Sequence, residues 1–324
     1  MTDIAHDPDF DCVICGTCVV DALVRPVPLM RPIGGGKLIH VEPIELTTGG
    51  IVCNTGIDMR RLGMKVAAMS LVGDDHWAKI IRMRLADEGL DVGGIETHPD
   101  RATSTTAVLI DPSGERSFAH HVGAPAVIDR AFVDRHLPLF ARGRYAVIGY
   151  LGLLPGLEPE IGPAVAAVRR AGCRVVLETA GSGGSLDTLA PALPHVDVYV
   201  PSLDEAVHQT GRDDPRAILA RYRECGARGI VGVKLGTKGA LLSAAAGDVI
   251  EIPCIPAPGP VADTTGAGDA FLGGLLTGLI RGLSLRDAGL LGAATAACCV
   301  TALGATAGIR PFEETWRLAR GGVS

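Results

Sequence analysis

Six short runs of this sequence are apolar at most positions rather than at every second one: Cys12–Val20, Val66–Val72, Tyr145–Ile148, Arg174–Leu177, Val196–Val200 and Ile230–Lys234. A strand with one wet face alternates polar and apolar residues. A strand that is apolar throughout is covered on both faces, which is the condition of a parallel sheet sandwiched by helices. Longer helical patterns lie between the runs, around Val52–Leu62, Ile80–Glu88, Glu160–Ala171, Pro215–Cys225 and Ala267–Arg281. This rhythm predicts an α/β fold in three αβα layers around a mostly parallel central sheet.

Two regions break the rhythm. Ala22–Thr48 carries Pro-rich turns and a run over 37–46, and Thr103–Val122 carries Asp111-Pro-Ser-Gly-Glu as a turn between two short strands. These segments, about 22–48 and 103–122, are expected to form a small β-sheet lid set apart from the main sheet. No polar linker and no repeat period is visible, so residues 1–324 read as a single domain.

Composition narrows the function. Gly and Pro account for 64 of 324 residues and charged residues for only 20%, as in a tightly packed, loop-punctuated enzyme. The net charge is −6 with no basic cluster, which removes nucleic acid from the expected partners. Met1–Asp11 is acidic and polar, without the basic start and apolar run of a secretory signal. Nine cysteines scattered through apolar segments fit reduced thiols, and a cytoplasmic location is expected. Cys12, Cys15 and Cys18 have zinc-like spacing but no second ligand pair, and are read as core thiols. Ala288–Ile309 is uncharged over 22 residues, yet its Ala, Gly, Thr and Cys content suits a helix inside a large core better than a bilayer span.

The chemistry is concentrated in Asp263-Thr-Thr-Gly-Ala-Gly-Asp269, which runs from a Pro-rich loop into an apolar helix. Gly266, Ala267 and Gly268 let the backbone approach a ligand closely, and the helix start presents free N–H groups and a positive dipole end to an anion. Asp269, in the first turn, can accept a proton from an alcohol. Phosphoryl transfer to an alcohol needs these two parts together. The plainer alternative is a Gly-rich helix start with Asp269 as a first-turn charge.

The same segment resembles the C-terminal signature of the PfkB, or ribokinase-like, carbohydrate kinases. A second signature lies upstream at Gly49-Gly50-Ile-Val-Cys-Asn54, followed by Arg61-Leu-Gly63 and Leu71-Val-Gly-Asp74. The resemblance covers nearly the whole chain and implies a ribokinase-like fold and ATP-dependent phosphorylation of a sugar hydroxyl. It assigns Asp269 as general base and the Gly266, Ala267 and Gly268 backbone as anion hole. Asp21, at the end of the first strand, and Gly49, Gly50 and Asn54 are assigned to the sugar. Pro201-Ser-Leu-Asp-Glu205 is similar to the Asn-x-x-Glu motif, which makes Glu205 the Mg2+-linked residue, through water, and places Ser202 near the ATP phosphates where relatives carry Asn. A capping box of Ser202 and Glu205 explains the same residues locally. Lys234, Gly236, Thr237 and Gly239 match the loop beside the nucleotide, although many relatives have Thr at position 234. Asp263, with the backbone near Gly304, matches a loop that holds a monovalent cation, K+, in several relatives.

Thr105-Thr106 and Gly114–Phe118 resemble the strand pair that closes over the sugar, whereas His120-His121 read as exposed lid residues. Family members use the lid as a flap or as a dimer clasp, so the resemblance admits a homodimer through the lid. Ile51 stands where ribokinases have Lys, Pro125 where many relatives have Asn, and no carboxylate lies near Tyr150-Leu151, which leaves ribose itself unassigned. Walker, protein-kinase and dinucleotide motifs are absent. The alternatives are a nucleoside kinase, disfavoured by few aromatic residues, and a non-catalytic sugar-binding regulator.

Overall fold

The structure is a computed structural model that describes residues 8–31, 34–36, 38–181, 183–244 and 247–321. Most of the acidic N-terminal segment (1–7) and Lys37, at the head of the 37–46 run, lie outside them. The strands in chain order are β1 (Phe10–Gly16), β2 (Val19–Val24), β3 (Glu45–Gly49), β4 (Val66–Gly73), β5 (Asp91–His98), β6 (Ser104–Ile110), β7 (Arg116–His121), β8 (Gly143–Gly149), β9 (Arg174–Leu177), β10 (Val198–Tyr199), β11 (Ile230–Lys234), β12 (Ala240–Ser243) and β13 (Ile250–Ile252). Nine of them form one sheet in the order β13-β12-β11-β10-β9-β8-β1-β4-β5. It is parallel from β11 to β5, and β12 and β13 add an antiparallel edge.

Alternate residues of the central strands feed two hydrophobic layers. Val13, Cys15, Met69, Ile148 and Leu177 face one layer, while Cys12, Ile14, Ala68, Val147 and Val176 face the other. Helices cover both, which is why these strands read as continuously apolar. From β1 the chain builds outward through β4 and β5 on one side and through β8 to β11 on the other. The sheet therefore has a topological switch point between β1 and β8, and ligands of such sheets bind outside the carboxyl ends of the strands there.

The remaining strands form a separate lid in the order β3-β2-β6-β7. The expected strand Cys12–Val20 is in fact two. β1 stops at Gly16, where a side chain would meet the backbone carbonyl of Gly149 at 1.7 Å, and the chain leaves the main sheet for the lid. Asp21 is thus the third residue of β2, not the end of the first strand. Among the described residues of the 22–48 segment only β3 and the tail of β2 are strand, whereas β6 and β7 flank the Asp111–Glu115 turn as expected. Strands β5, β12 and β13, all toward the sheet edges, were not foreseen. The expected Ala288–Ile309 helix runs instead from Leu285 to Cys299 and is followed by a loop over 300–309. That loop folds back on its own helix, with Gly308 so close to the Cys298 carbonyl that a side chain would collide with it. Among the described residues no helix is long and apolar enough to cross a membrane.

Candidate active site

The helix Ala267–Ile280 starts without a side-chain cap. Gly266 precedes it at φ 78°, a left-handed conformation that favours glycine, and a Cβ there would meet Ala305 at 2.4 Å. The 300–309 loop therefore holds the anion turn from behind. Asp269, in the first turn of the helix, is 5% exposed. Its Oδ2 accepts hydrogen bonds from Asn54 Nδ2 (2.9 Å) and from the Tyr150 hydroxyl (2.5 Å). Burial raises the Asp269 pKa, and the bonds from Tyr150 and Asn54 oppose that rise.

Asn54 is carried by the helix Ile51–Arg61, which Gly50 caps at φ 83°. A Cβ on Gly50 would meet the Thr17 carbonyl at 2.4 Å, so only glycine lets the helix start this close to the end of β1. The next residue, Thr55, donates its hydroxyl to the Asp269 carbonyl. The two signatures, 215 residues apart, thus meet at one carboxylate.

A cavity of about 780 Å3 opens on the other side of the anion turn. Gly266, Ala267, Gly268 and Asp269 line one wall, and Ser202, Glu205, Lys234, Gly236, Thr237 and Gly239 line another. Every residue assigned to the nucleotide from sequence borders this space. Ser202 and Lys234 are neighbours because the chain after β10 forms a parallel bridge with the end of β11. Ser202 caps the helix Leu203–Thr210, and the Glu205 carboxylate returns to the Ser202 amide (2.8 Å) and hydroxyl (2.6 Å), so the capping box is present. The second Glu205 oxygen accepts from Thr179 Oγ1 at 3.0 Å.

Two residues that sequence reasoning missed complete the wall. Tyr150 follows β8 directly, and Glu178 follows β9. Glu178 is 3% exposed, pairs through Oε1 with Lys234 Nζ at 2.5 Å, and leaves Oε2 buried without a partner. Burial raises the Glu178 pKa against the pull of Lys234. For the ammonium, burial alone would favour loss of the proton, but the carboxylates of Glu178, Glu205 and Asp269 reverse the direction and keep it charged. Nζ lies 3.4 Å from where a Cβ on Gly268 would stand. One cation therefore sits at the mouth of the anion turn.

Asp21 and Gly49 lie on the lid side, away from the cavity. The Asp21 carboxylate occupies the space a Gly49 side chain would need, 2.3 Å from the ideal Cβ. Burial raises the Asp21 pKa, opposed by its hydrogen bond from Thr106. Asp21 stands opposite Thr106, and Thr106 opposite His120, whose Nδ1 lies 3.0 Å from the Thr106 hydroxyl. Asp263 is 7% exposed and accepts from the amides of Thr265 (2.7 Å) and Gly304 (2.9 Å). The Arg116 guanidinium lies 2.6 Å from Asp263 Oδ1.

An uncapped glycine-rich helix start with a carboxylate in its first turn, a cavity of about 780 Å3 beside it and a separate lid sheet are the parts a small-molecule kinase needs. The pfkB family carbohydrate kinase model matches residues 11–311, and the chain belongs to that family of ATP-dependent carbohydrate kinases. It is 29% identical over 308 residues to a ribokinase of Haemophilus influenzae, covering 93% of this chain and 96% of that one. A fructokinase of Klebsiella pneumoniae is 31% identical over 276 residues, covering 82% and 83%. The fold is that of the Arabidopsis thaliana ribokinase solved with ribose and ATP, at a TM-score of 0.84 and 23% identity, over 96% of this chain and 99% of that one.

Proposed function

We propose that the chain transfers the γ-phosphate of ATP to a hydroxyl of a sugar of the ribose or fructose kind, with Asp269 as general base and the Gly266–Gly268 amides as anion hole, and that residues 1–324 work as one kinase domain. The observation that carries this reading is the joining of Asn54, Tyr150 and Asp269 at the wall between the cavity and the lid. Both hydrogen bonds go to Oδ2, which holds the carboxylate rotamer and leaves Oδ1 to accept from an incoming hydroxyl. Asp269 takes the proton as the oxygen attacks the γ-phosphorus in line. The turn amides and the Lys234 ammonium meet the charge that develops on the transferring group.

Asp21 and Asn54 suit neighbouring hydroxyls of the acceptor, and Gly49 and Gly50 let it lie close to the backbone. Ser202, Gly236, Thr237 and Gly239 border the nucleotide. Glu205 has both oxygens engaged by Ser202 and Thr179, a donor set that fits a hydrated Mg2+ held through water better than direct ligation. When bound, Mg2+ neutralises the β- and γ-phosphate oxygens. The buried, unpartnered Oε2 of Glu178 would offer a second acceptor to its water shell. The buried free thiols fit a reducing compartment such as the cytoplasm.

The test is ADP release from Mg-ATP across a panel of neutral sugars and nucleosides. Sugar-dependent release is the expected result. Release with nucleosides alone would move the acceptor to a nucleoside, and sugar binding without any ADP release would make the chain a binding regulator.

A further inference from the structure

The cavity of about 780 Å3 has two unlike ends. Its charged lining side chains, Glu178, Glu205, Lys234 and Asp269, gather at the anion turn, where Lys234 pairs with Glu178 and stands against Gly268. Two segments wall the other end. The helix Leu285–Cys299 contributes Ala293, Ala296 and Ala297, with Val300 just past its last residue, and these positions follow the i, i+3, i+4, i+7 spacing of a single helix face. The chain over 254–261 contributes Ile255, Ala257 and Val261. Directly after Val261 the amides of Ala262 and Asp263 both donate to the Val300 carbonyl, which joins the two walls. No side chain that either wall gives to the cavity carries a nitrogen or an oxygen. The one sulfur there, that of Cys254, is turned to the Ile255 carbonyl at 3.7 Å. Val261 is 63% exposed, an apolar side chain left open at the cavity.

We infer that the phosphoryl donor is selected by its triphosphate and not by its base, so that GTP and ITP serve beside ATP. The inference rests on the kinase reading above, with the base at the apolar end and the phosphates at the charged one. A planar base gains from apolar contact on its faces, and alanine side chains leave room for a ring against the helix. The identity of a purine is written instead on its edge, where adenine offers an amino group and guanine and hypoxanthine carry a carbonyl. A site that hydrogen-bonds such a group rejects an analogue lacking it by about 10,000-fold, because its own buried polar group is left unpaired, whereas an apolar pocket separates close analogues far less. With no polar side chain on either wall, the three purines present the same faces to the same surface. In each case the γ-phosphoryl passes to the acceptor hydroxyl, the bond to the β-phosphate oxygen breaks, the nucleoside diphosphate leaves and the hydroxyl proton goes to Asp269.

The test measures sugar phosphate, the product common to every donor, on the full chain with an acceptor that gives ADP release. The kcat/KM values for Mg-GTP and Mg-ITP are expected within about tenfold of that for Mg-ATP. A larger preference for ATP would overturn the inference and assign reading of the base edge to backbone groups. Val261→Ser changes an exposed side chain, so folding is not at stake, and is expected to raise the KM for ATP and for GTP by the same factor, about threefold, without moving the KM for the acceptor. Ala297→Leu, which fills the apolar end, is expected to raise both donor KM values further and again together. A change confined to one donor in either variant would count against the inference. Displacement of a bound fluorescent ATP analogue by ATP and by GTP, without acceptor, reads the same end apart from turnover, with Kd values expected within about tenfold of each other. Displacement by ATP and not by GTP would sink the inference and leave the kinase reading standing. Wild-type protein that forms no sugar phosphate from any donor would sink the kinase reading, while the displacement measurement still tests the base end.

Discussion

The anion turn and the lid face each other across the site and are built in opposite ways. Asp269 is buried, its carboxylate is held by two side chains from different elements, and Gly266 behind it is packed against Ala305. β7 of the lid is exposed along nearly its whole length, and Phe118 on it is 59% exposed. On the proposed reading, chemistry falls to the buried part and recognition to the exposed one. Transition-state donors gain from being fixed before the reaction begins, whereas an acceptor has to enter and leave.

Exchanging Lys234 tests the rigid half. Lys234→Met keeps the stem and removes the charge at the mouth of the turn, and should lower kcat by about tenfold to a hundredfold. It also leaves Glu178 buried without its partner, so thermal stability should fall with it. A kcat within a factor of two of wild type would remove Lys234 from the transition state. The lid half is tested by Asp21→Ala, which should raise the KM for the acceptor by about tenfold while leaving that for ATP nearly unchanged. Asn54→Ala should raise the same KM and lower kcat as well, because Asn54 also holds the Asp269 carboxylate. Equal losses for both ligands in Asp21→Ala would contradict the division between the halves.

The smallest effect concerns stability. Asp58 is fully buried in the helix Ile51–Arg61, facing Gly273 of the base-bearing helix, and neither of its carboxylate oxygens has a partner. Burial, and then the charge of Asp269, push its pKa well above the ordinary carboxylate range. A raised folded pKa means that the stability of the protonated form is fully present below the unfolded value and is lost as pH rises through the folded one. Asp58→Asn removes the ionisation and should therefore gain on wild type in unfolding free energy as pH is raised, by about 1 kcal/mol or more. A difference that shrinks with rising pH would show that Asp58 is stabilising as a carboxylate.

Much of this site was legible in the sequence because it lies on two helix starts. Gly-rich turns entering apolar helices announce their backbone geometry in their residues, so Asp269 and the anion turn could be named before any coordinates, whereas Asn54 was named through the resemblance to the PfkB signature. Tyr150 and Glu178 carry no such signature. Each is a single polar side chain following an apolar strand, and only the sheet order, which sets β8 beside β1 and β9, brings them to the base and to Lys234. A polar residue directly after an apolar strand is the signal that could have found them, since the carboxyl ends of parallel strands gather at the site. The break in the first strand was hidden for a similar reason. Gly16 looks like part of an apolar run, and what ends β1 there is the Gly149 backbone of a distant strand. The edge strands β5 and β13 lack the continuous apolar pattern because less of each is buried.

The most direct test of the account is turnover of Asp269→Asn beside its affinity for ATP. The substitution keeps the shape of the side chain and removes its basicity. Turnover with an acceptor sugar should fall by about a hundredfold or more while ATP binding stays close to wild type. The remaining wild-type activity should decline on the acid side at a pH above the ordinary Asp range, since burial raises the pKa of the group that must be ionised. Near-normal turnover by Asp269→Asn would contradict the account, because the one carboxylate on which both signatures converge would then not be the base.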